Sequence, residues 1–489
     1  MESDFEVSLV SPRNYFLFTP LLPGLTTGTL NDRTIVTSIR HLIKKVKPQI
    51  SYYEASCTSI DPEAQQVECQ DISGIQGSVS KFKLPYDYLV MAVGSQPATF
   101  GTPGVRQYAH FLKTVEDAQA IRSKIIDCFE SANIPGQPDS EKKRLLSFVV
   151  VGGGPTGCEF AGELHDLIEK DVRKYYAHLL PYVSVHLVQS QDKVLNTFDK
   201  KISEFVEKKF SRDHITLHTD SRVKEVKPNE LVVYEKKNGS DITLPFGLCV
   251  WSTGIEPIPL VKQVRDSLKD KGQTNTRALV VDDNLQVKGA KNIFAIGDCS
   301  TIERKHLKEH LGEMFQQADV DGNGELSWKE FHHFLDTVSK KYPQLEVYNG
   351  RVLEIFKEMD VDKSGSLSHE EFKHLLEKAD SEVTVLPSTA QVASQQGQYL
   401  ATLLNTLAKD PKADISATPF RYHHRGSFAS IGGSEAVGEV PGMLEGGGFQ
   451  VWLMWRGIYL SKQFSITNKV LLSFDWVRTT LFGRDVSRF

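Results

Sequence analysis

The chain of 489 residues has no apolar run approaching the ~20 residues a helix needs to cross a bilayer, which excludes a helical membrane-spanning protein. Close cysteine pairs are missing too. Cys57, Cys69, Cys128, Cys158, Cys249 and Cys299 lie far apart, with no C-x-x-C, which excludes a zinc ribbon and a dithiol centre built from near neighbours. That usage fits a reducing compartment and buried structural thiols. No sign of charge dominates: Lys+Arg number 57 against 62 Asp+Glu, a net of −5, which argues against non-specific nucleic-acid binding. The opening Met1-Glu2-Ser3-Asp4 is acidic and lacks the apolar stretch of a targeting segment, and the chain enters a strand at once, over Phe5–Val10.

What is present is ordinary for soluble globular protein, 40% hydrophobic and 24% charged, at a length that predicts two or more domains. Residues 5–130 alternate β-rich runs (82–84 and 88–93 among them) with turns, before a helix over 115–130 and a polar linker over 131–143. An apolar strand over 145–151, a glycine cluster, a helical pattern over 157–178 and a strand over 183–189 then form a βαβ unit with a parallel sheet. Further strand signals fall at 216–218, 231–234, 248–251 and 293–296.

Chemistry begins at Gly152-Gly153-Gly154-Pro155-Thr156-Gly157, a G-x-G-x-x-G that follows a strand and opens a helix. Gly152 permits the tight turn, Gly154 lets backbone approach a pyrophosphate, and Gly157 allows close helix–strand packing, with the phosphates on the helix N-terminus. The motif therefore predicts dinucleotide binding. An acid at the end of the next strand would hold the ribose 2′-hydroxyl of NAD and repel a 2′-phosphate; Gln189 stands there instead. NADPH becomes acceptable, with Lys193 as a phosphate partner; the alternative is that Gln189 bonds the ribose of NADH unselectively. Two segments, 88–97 and 249–257, each read strand, small residue, glycine (Gly94, Gly254), then a turn to proline. A third, 292–298, ends a buried strand in Gly297-Asp298, where the acid can accept hydrogen bonds from a flavin's ribityl chain.

A charged segment over 304–380 has a different character. Residues 319–330 and 360–371 both fit the 12-residue EF-hand loop. Oxygen ligands fall on Asp319, Asp321, Asn323, Glu325 and Glu330 in the first, and on Asp360, Asp362, Ser364, Ser366 and Glu371 in the second, with Gly324 and Gly365 at the sharp turns. Helical flanks over 310–317 and 353–359 complete the pattern, which predicts Ca²⁺ binding. This segment holds 11 Lys+Arg and 16 Asp+Glu, so it carries the whole of the net −5 and the remaining chain is balanced. The tail over 449–489 holds three of the five tryptophans and six Lys/Arg against two Asp/Glu. Trp452, Trp455 and Tyr459 share one helical face and Leu471, Phe474, Val477 and Leu481 another, which suits an amphipathic membrane-surface anchor or a helix pair buried in a homodimer.

The ordered series 11–23 (SPRNYFLFTPLLP), 92–105 (AVGSQPATFGTPGV), 152–164 (GGGPTGCEFAGEL), 252–257 (STGIEP), 293–299 (IFAIGDC) and 390–401 (AQVASQQGQYLA) resembles the type II, or alternative, NAD(P)H:quinone dehydrogenases, in the mitochondrial external calcium-dependent form. The resemblance covers nearly the whole chain outside 304–380. It implies an α/β fold of two dinucleotide-binding (Rossmann-like) domains of the two-dinucleotide flavoprotein class, with an inserted EF-hand pair and a C-terminal amphipathic helical anchor. It also implies FAD, NADPH or NADH as electron donor, and membrane ubiquinone reduced without proton pumping.

By the same resemblance Ser11, Pro12 and Arg13 lie at the adenosine end of FAD, and Gly94 and Asp298 contact the flavin nucleotide. Glu159 lies near the nicotinamide, and Gln391 and Gln395 lie between flavin and quinone. Gln at position 189 accompanies NADPH use. The implied units are 1–120 and 276–303 for FAD, 121–275 for NAD(P)H, 304–380 for calcium, 381–440 for the FAD/quinone site and 441–489 for membrane anchoring or dimerisation. The implied place is the intermembrane-space face of the mitochondrial inner membrane.

One departure stands out. The family starts with a strand and a G-x-G-x-x-G that grips the FAD pyrophosphate, and neither precedes Phe5 here. A truncated or mis-started gene product is the favoured reading, because the downstream motifs are intact. The alternative is a calcium-binding relic without FAD or activity. Sulfide:quinone chemistry is disfavoured by the cysteine spacing, and a ferredoxin partner by the lack of a strong basic patch outside the tail. The insert joins Asp298 to the helix of Gln391, so calcium is expected to bias both sites.

Overall fold

The computed structural model describes residues 5–44, 46, 50–75, 77–302, 307–338, 345, 352–382, 386–411, 413–415 and 418–488. Its best-formed element is the strand Ser147–Val151, whose SFVVV sequence is rich in β-branched and aromatic side chains and is buried at every position. It is the middle of a five-stranded parallel sheet in the order Ile215–His218, Ser184–Val188, Ser147–Val151, Leu248–Trp251, His110–Phe111. The helices Pro155–Leu167 and Val115–Ala132 contribute Phe160, Leu164, Ile121 and Ile125 to the core around it. An antiparallel meander, Ser221–Val226, Glu230–Glu235 and Ser240–Pro245, shares a second core with Val149, Val151 and Val188.

The other α/β half is differently assembled. Strand Ser8–Ser11 pairs in parallel with Ser51–Asp61, which continues antiparallel through Gln66–Asp71 and Lys81–Pro85. Leu89–Met91 pairs in parallel with Ile293–Ala295 in a separate ladder. Phe5 and Tyr88, just ahead of Ser8–Ser11 and Leu89–Met91, bring their rings to 6.5 Å, so the two ladders start side by side. No described strand bridges them.

The described residues between Leu307 and Ala379 have their own core, with Phe315, Leu326, Phe331, Phe356, Leu367 and Phe372 in it. The chain then runs into the helix Ala390–Lys409, a three-stranded antiparallel sheet (Ser427–Ser430, Ala436–Val440, Leu444–Gly448) and two helices, Phe449–Ser461 and Ile466–Phe482. Among the described residues no helix is long and apolar enough to cross a membrane.

Several local expectations are corrected. The helix expected over 157–178 runs from Pro155 to Tyr175, but not as one regular α-helix: a wide π-turn, Ile168–Val172, interrupts it where Asp171 is buried against Arg484. The linker over 131–143 contains a helix, Asp139–Leu145, with acids in its first turn and bases in its last, each favourable to the helix dipole. In the tail, the Trp452/Trp455/Tyr459 face turns inward: Trp455 is buried, and its ring meets those of Tyr459 and Trp476. The exposed apolar face belongs to Phe474, Val477 and Leu481, joined by Ile466 and Val470.

Candidate active site and calcium sites

The glycine turn is built as its sequence requires. Gly152 holds φ +114, and a Cβ there would lie 2.9 Å from the Ser252 carbonyl oxygen. A Cβ on Gly157 would fall 1.9 Å from the Gly152 oxygen, so the helix can approach the turn only because no side chain intervenes. Gly154 faces open space where a phosphate would approach the helix N-terminus. Gln189 is buried; its Oε1 accepts from Gly153 N at 3.2 Å and its Nε2 donates to the Lys193 oxygen at 3.3 Å. A neutral amide thus stitches the glycine turn to the neighbouring loop. Gly254 closes the opposite side at φ +75.

In the other half, Asp298 Oδ2 accepts from Ser95 Oγ at 3.0 Å and lies 3.7 Å from Lys113 Nζ. Burial lowers the Lys113 pKa, and Asp298 opposes that shift. Gly94, at φ +66, leaves open the space a side chain would fill. Ser11 Oγ donates to the Arg13 oxygen at 2.8 Å in a tight exposed turn that presents Pro12 and Arg13. An open glycine and a partly exposed acid at one end, with a basic turn at the other, fit a flavin dinucleotide laid across this half. The grip on its pyrophosphate is not among the described residues.

Glu159 is 7% exposed on the helix Pro155–Leu167, and its Oε1 accepts from Ser430 N at 3.1 Å. Burial, with Glu163 nearby, pushes its carboxyl up to about 8. It lines a cleft between the N-terminal segment (Pro20, Leu21) and the tail (Trp452, Trp476). Arg456 enters the same cleft, its guanidinium 3.8 Å from the Trp452 ring centroid and 4.7 Å from that of Trp476. Burial lowers its pKa to about 10.

The two glutamines sit one turn apart on Ala390–Lys409 and grip the main chain ahead of Ser427–Ser430. Gln395 exchanges both amide bonds with the backbone of His423, at 2.9 and 3.0 Å. Gln391 accepts from Arg425 N at 2.7 Å and donates to the Gly426 oxygen at 3.2 Å. One continuous stretch, 422–430, therefore connects Gln391 and Gln395 to Glu159. The neighbour that touches the Gly297-Asp298 turn is Gln396, whose Oε1 accepts from Gly297 N at 2.7 Å. Gln396, Arg456 and Arg484 were not foreseen. Arg484 pairs with Asp171 and Glu163, each at 3.2 Å, and fixes the end of the tail to the helix of Glu159. A lone basic residue far along the sequence gives no sign of such partners.

The two acidic loops fit calcium. Carboxylate oxygens of Asp319, Asp321 and Glu330 lie within 4.8 Å of one another, and so do those of Asp360, Asp362 and Glu371. Asp319 and Asp360 accept from the amides of Gly324 and Gly365, at φ +83 and +86, which folds each loop around its acids. Asn323 and Ser364 stand at the fifth loop position. Leu326 pairs with Leu367 across the loops in an antiparallel bridge. Glu325 and Ser366 flank that bridge, and the Ser366 hydroxyl donates to the Glu325 carboxylate.

This architecture and these sites define a nucleotide-dependent flavoprotein oxidoreductase, and the family comparison agrees: residues 2–318 match the pyridine nucleotide-disulphide oxidoreductases, 308–390 an EF-hand domain pair and 424–485 the NDH2 C-terminal domain. The chain is 43% identical to the mitochondrial external alternative NAD(P)H-ubiquinone oxidoreductase B1 of Solanum tuberosum, over 99% of this chain and 87% of that protein. It is 34% identical to the external alternative NADH-ubiquinone oxidoreductase of Yarrowia lipolytica, over 99% and 77%. The structure of NDH2 from Plasmodium falciparum in complex with NADH superposes with a TM-score of 0.85 at 30% identity, over 99% of this chain and 95% of that one. The chain belongs to the type II NADH dehydrogenase family, the group of the external alternative NAD(P)H-ubiquinone oxidoreductases.

Proposed function

We propose that this protein oxidises NADPH or NADH and reduces ubiquinone at a membrane surface, under calcium control and without moving protons across the membrane. The observation that carries this reading is the position of Glu159. Its helix starts at the glycine turn, and its carboxyl lines the cleft between Leu21 and the tail tryptophans; the tail helix that enters this cleft through Trp476 exposes Ile466, Val470, Phe474, Val477 and Leu481 elsewhere along its length. One helix thereby joins the glycine turn to a cleft walled by the tail, whose exposed apolar side chains we assign to the membrane surface.

The roles follow from chemistry. Gly152, Gly154, Gly157 and Gln189 hold the NAD(P)H, with Gly254 on the nicotinamide side. Ser11, Pro12, Arg13, Gly94 and Asp298 hold FAD, which when bound supplies hydride acceptance and electron transfer to quinone. Glu159, largely neutral near pH 7, holds a proton at the cleft for a reduced quinone oxygen. Gln391 and Gln395 fix the 422–430 stretch that positions the Ser430 amide against Glu159. The division into 1–120 with 276–303 (FAD), 121–275 (NAD(P)H), 304–380 (calcium), 381–440 (FAD/quinone) and 441–489 (anchor or dimer) is the organisation this reading uses. The named relatives are mitochondrial, and the intermembrane-space face of the inner membrane is the place we assign, as a homodimer bound peripherally.

Calcium reaches the chemistry through covalent geometry. The insert leaves the body after Ile302 and returns at Ala390, and the Gly297–Gln396 bond joins these two attachment points. The test is NADPH oxidation by FAD-supplemented protein on ubiquinone-containing liposomes, with calcium and with chelator. Equal rates in both overturn the calcium control, and no quinone reduction in either overturns the activity.

A further inference from the structure

The loop from Ala98 to Gly104 passes from the half that holds Asp298 to the half that holds the glycine turn, and both of its ends are fastened to the latter. Ala98 N donates to the Gly254 oxygen at 3.2 Å, and the Ala98 oxygen accepts from Trp251 Nε1 at 2.9 Å. At the far end Val226 N donates to the Pro103 oxygen at 2.9 Å. Gly104, at φ +77, is pressed so close that a Cβ would fall 1.7 Å from the Val226 oxygen. Between these anchors Phe100 holds φ +53, a left-handed backbone that a bulky residue rarely adopts. Such strain persists where the surroundings enforce it, and it clusters at ligand sites.

The ring is not there to fill a core, because Phe100 is 59% exposed. It lies over Gly254 so closely that a Cβ on that glycine would meet Phe100 Cζ at 2.1 Å. Strand order says which part of a dinucleotide reaches this place. Gln189 follows the strand Ser184–Val188, Gly152–Gly154 follow the central strand, and Gly254 follows the strand on the far side. With the adenosine at Gln189 and the pyrophosphate at the glycine turn, the nicotinamide end arrives at Gly254.

We propose that Phe100 is the aromatic wall of the nicotinamide subsite, its exposed side receiving the nicotinamide ring at the seam between the two halves. This rests on the reading of Gly152–Gly157 as the NAD(P)H turn. An aromatic ring carried on a loop anchored at both ends stacks on a planar ligand with a reduced ordering cost. Calorimetry on the full chain with NAD⁺, and with ADP-ribose, which lacks only the nicotinamide, separates the two ideas. Phe100→Ala and Phe100→Leu are expected to weaken NAD⁺ by about tenfold or more, the scale of one lost stacking contact, and to leave ADP-ribose within about twofold. Phe100→Trp restores NAD⁺, which shows that the loop still folds and that the π-face matters. In turnover, KM for NADH rises in the Ala and Leu variants.

If NAD⁺ and ADP-ribose are weakened equally, or neither is weakened, the aromatic-wall proposal is overturned while the dinucleotide reading stands. If the unsubstituted protein binds neither ligand, the dinucleotide reading fails and the proposal fails with it.

Discussion

The two nucleotide-binding halves use similar elements and differ in how those elements are joined. In the half of the glycine turn, five parallel strands form one ladder around the fully buried Ser147–Val151. In the half of Asp298, the strands Ser8–Ser11 and Leu89–Met91 belong to separate ladders, and apolar side chains that a central sheet would cover (Leu9, Val90, Val93) are exposed. The contrast teaches where each half keeps its binding chemistry. The first has a glycine turn, the proposed dinucleotide site, whose geometry depends on close contacts at Gly152 and Gly157. In the second, Arg13 and Asp298, the residues we assign to FAD, stand beside strands of separate ladders.

The largest expected effect tests the glycine turn. Gly157→Ala puts a Cβ 1.9 Å from the Gly152 oxygen, so the turn must move, and dinucleotide binding by calorimetry should be abolished. Gly94→Ala in the half of Asp298 meets no atom within 4 Å and suffers only from its φ of +66, about 1 kcal/mol in urea unfolding. Equal losses in the two variants would erase the distinction between the halves. Next in size, Arg484→Ala leaves Asp171 and Glu163 without their shared partner beneath the tail, and should cost about 3–5 kcal/mol by the same measurement.

A third test concerns Glu159, whose carboxyl titrates near 8 when folded and close to the ordinary 4.5 when unfolded. The folded state binds the proton more tightly, so this contribution to stability is fully present below pH 4.5 and is lost as pH rises through 8. Glu159→Gln should flatten that decline, by a few kcal/mol at most, in unfolding measured from pH 5 to 9. For each calcium site taken singly the effect is smaller again: calcium at about a hundred times its Kd should raise stability by about 2.7 kcal/mol. Glu330→Gln with Glu371→Gln should remove that gain while the purified protein stays folded. The smallest stability effect is predicted for Phe474→Ser with Leu481→Ser: about 0.5 kcal/mol or less each on unfolding, but weaker sedimentation with liposomes.

Legibility in the sequence followed the range of the contacts. The glycine turn, Gly254 and both calcium loops are local patterns with fixed spacing, and the structure assembles them as spaced. Contacts set by sheet register or by a distant segment left no such trace. Cys57 and Cys69 oppose each other across an antiparallel pair although eleven residues separate them, because a bulge beside Cys57 sets the register. The Gln391 and Gln395 amides meet 423–426 only through tertiary packing, and Arg484 finds Asp171 and Glu163 across more than three hundred residues. Helical periodicity in the tail identified two apolar faces, yet it could not say which one turns inward. Trp476 and Trp455 settle that by packing against each other.

One helix, from the glycine turn to Glu159, is proposed to connect dinucleotide oxidation to quinone reduction at the cleft beneath the tail, under calcium control. The most direct measurement follows NAD(P)H consumption and ubiquinol formation together, using FAD-supplemented protein on ubiquinone-containing liposomes, as free calcium is stepped from chelated to millimolar. One ubiquinol per NAD(P)H and a rate that changes with calcium are expected, both lost in Gly157→Ala. Dinucleotide oxidation without ubiquinol, or a rate indifferent to calcium, would contradict the proposal.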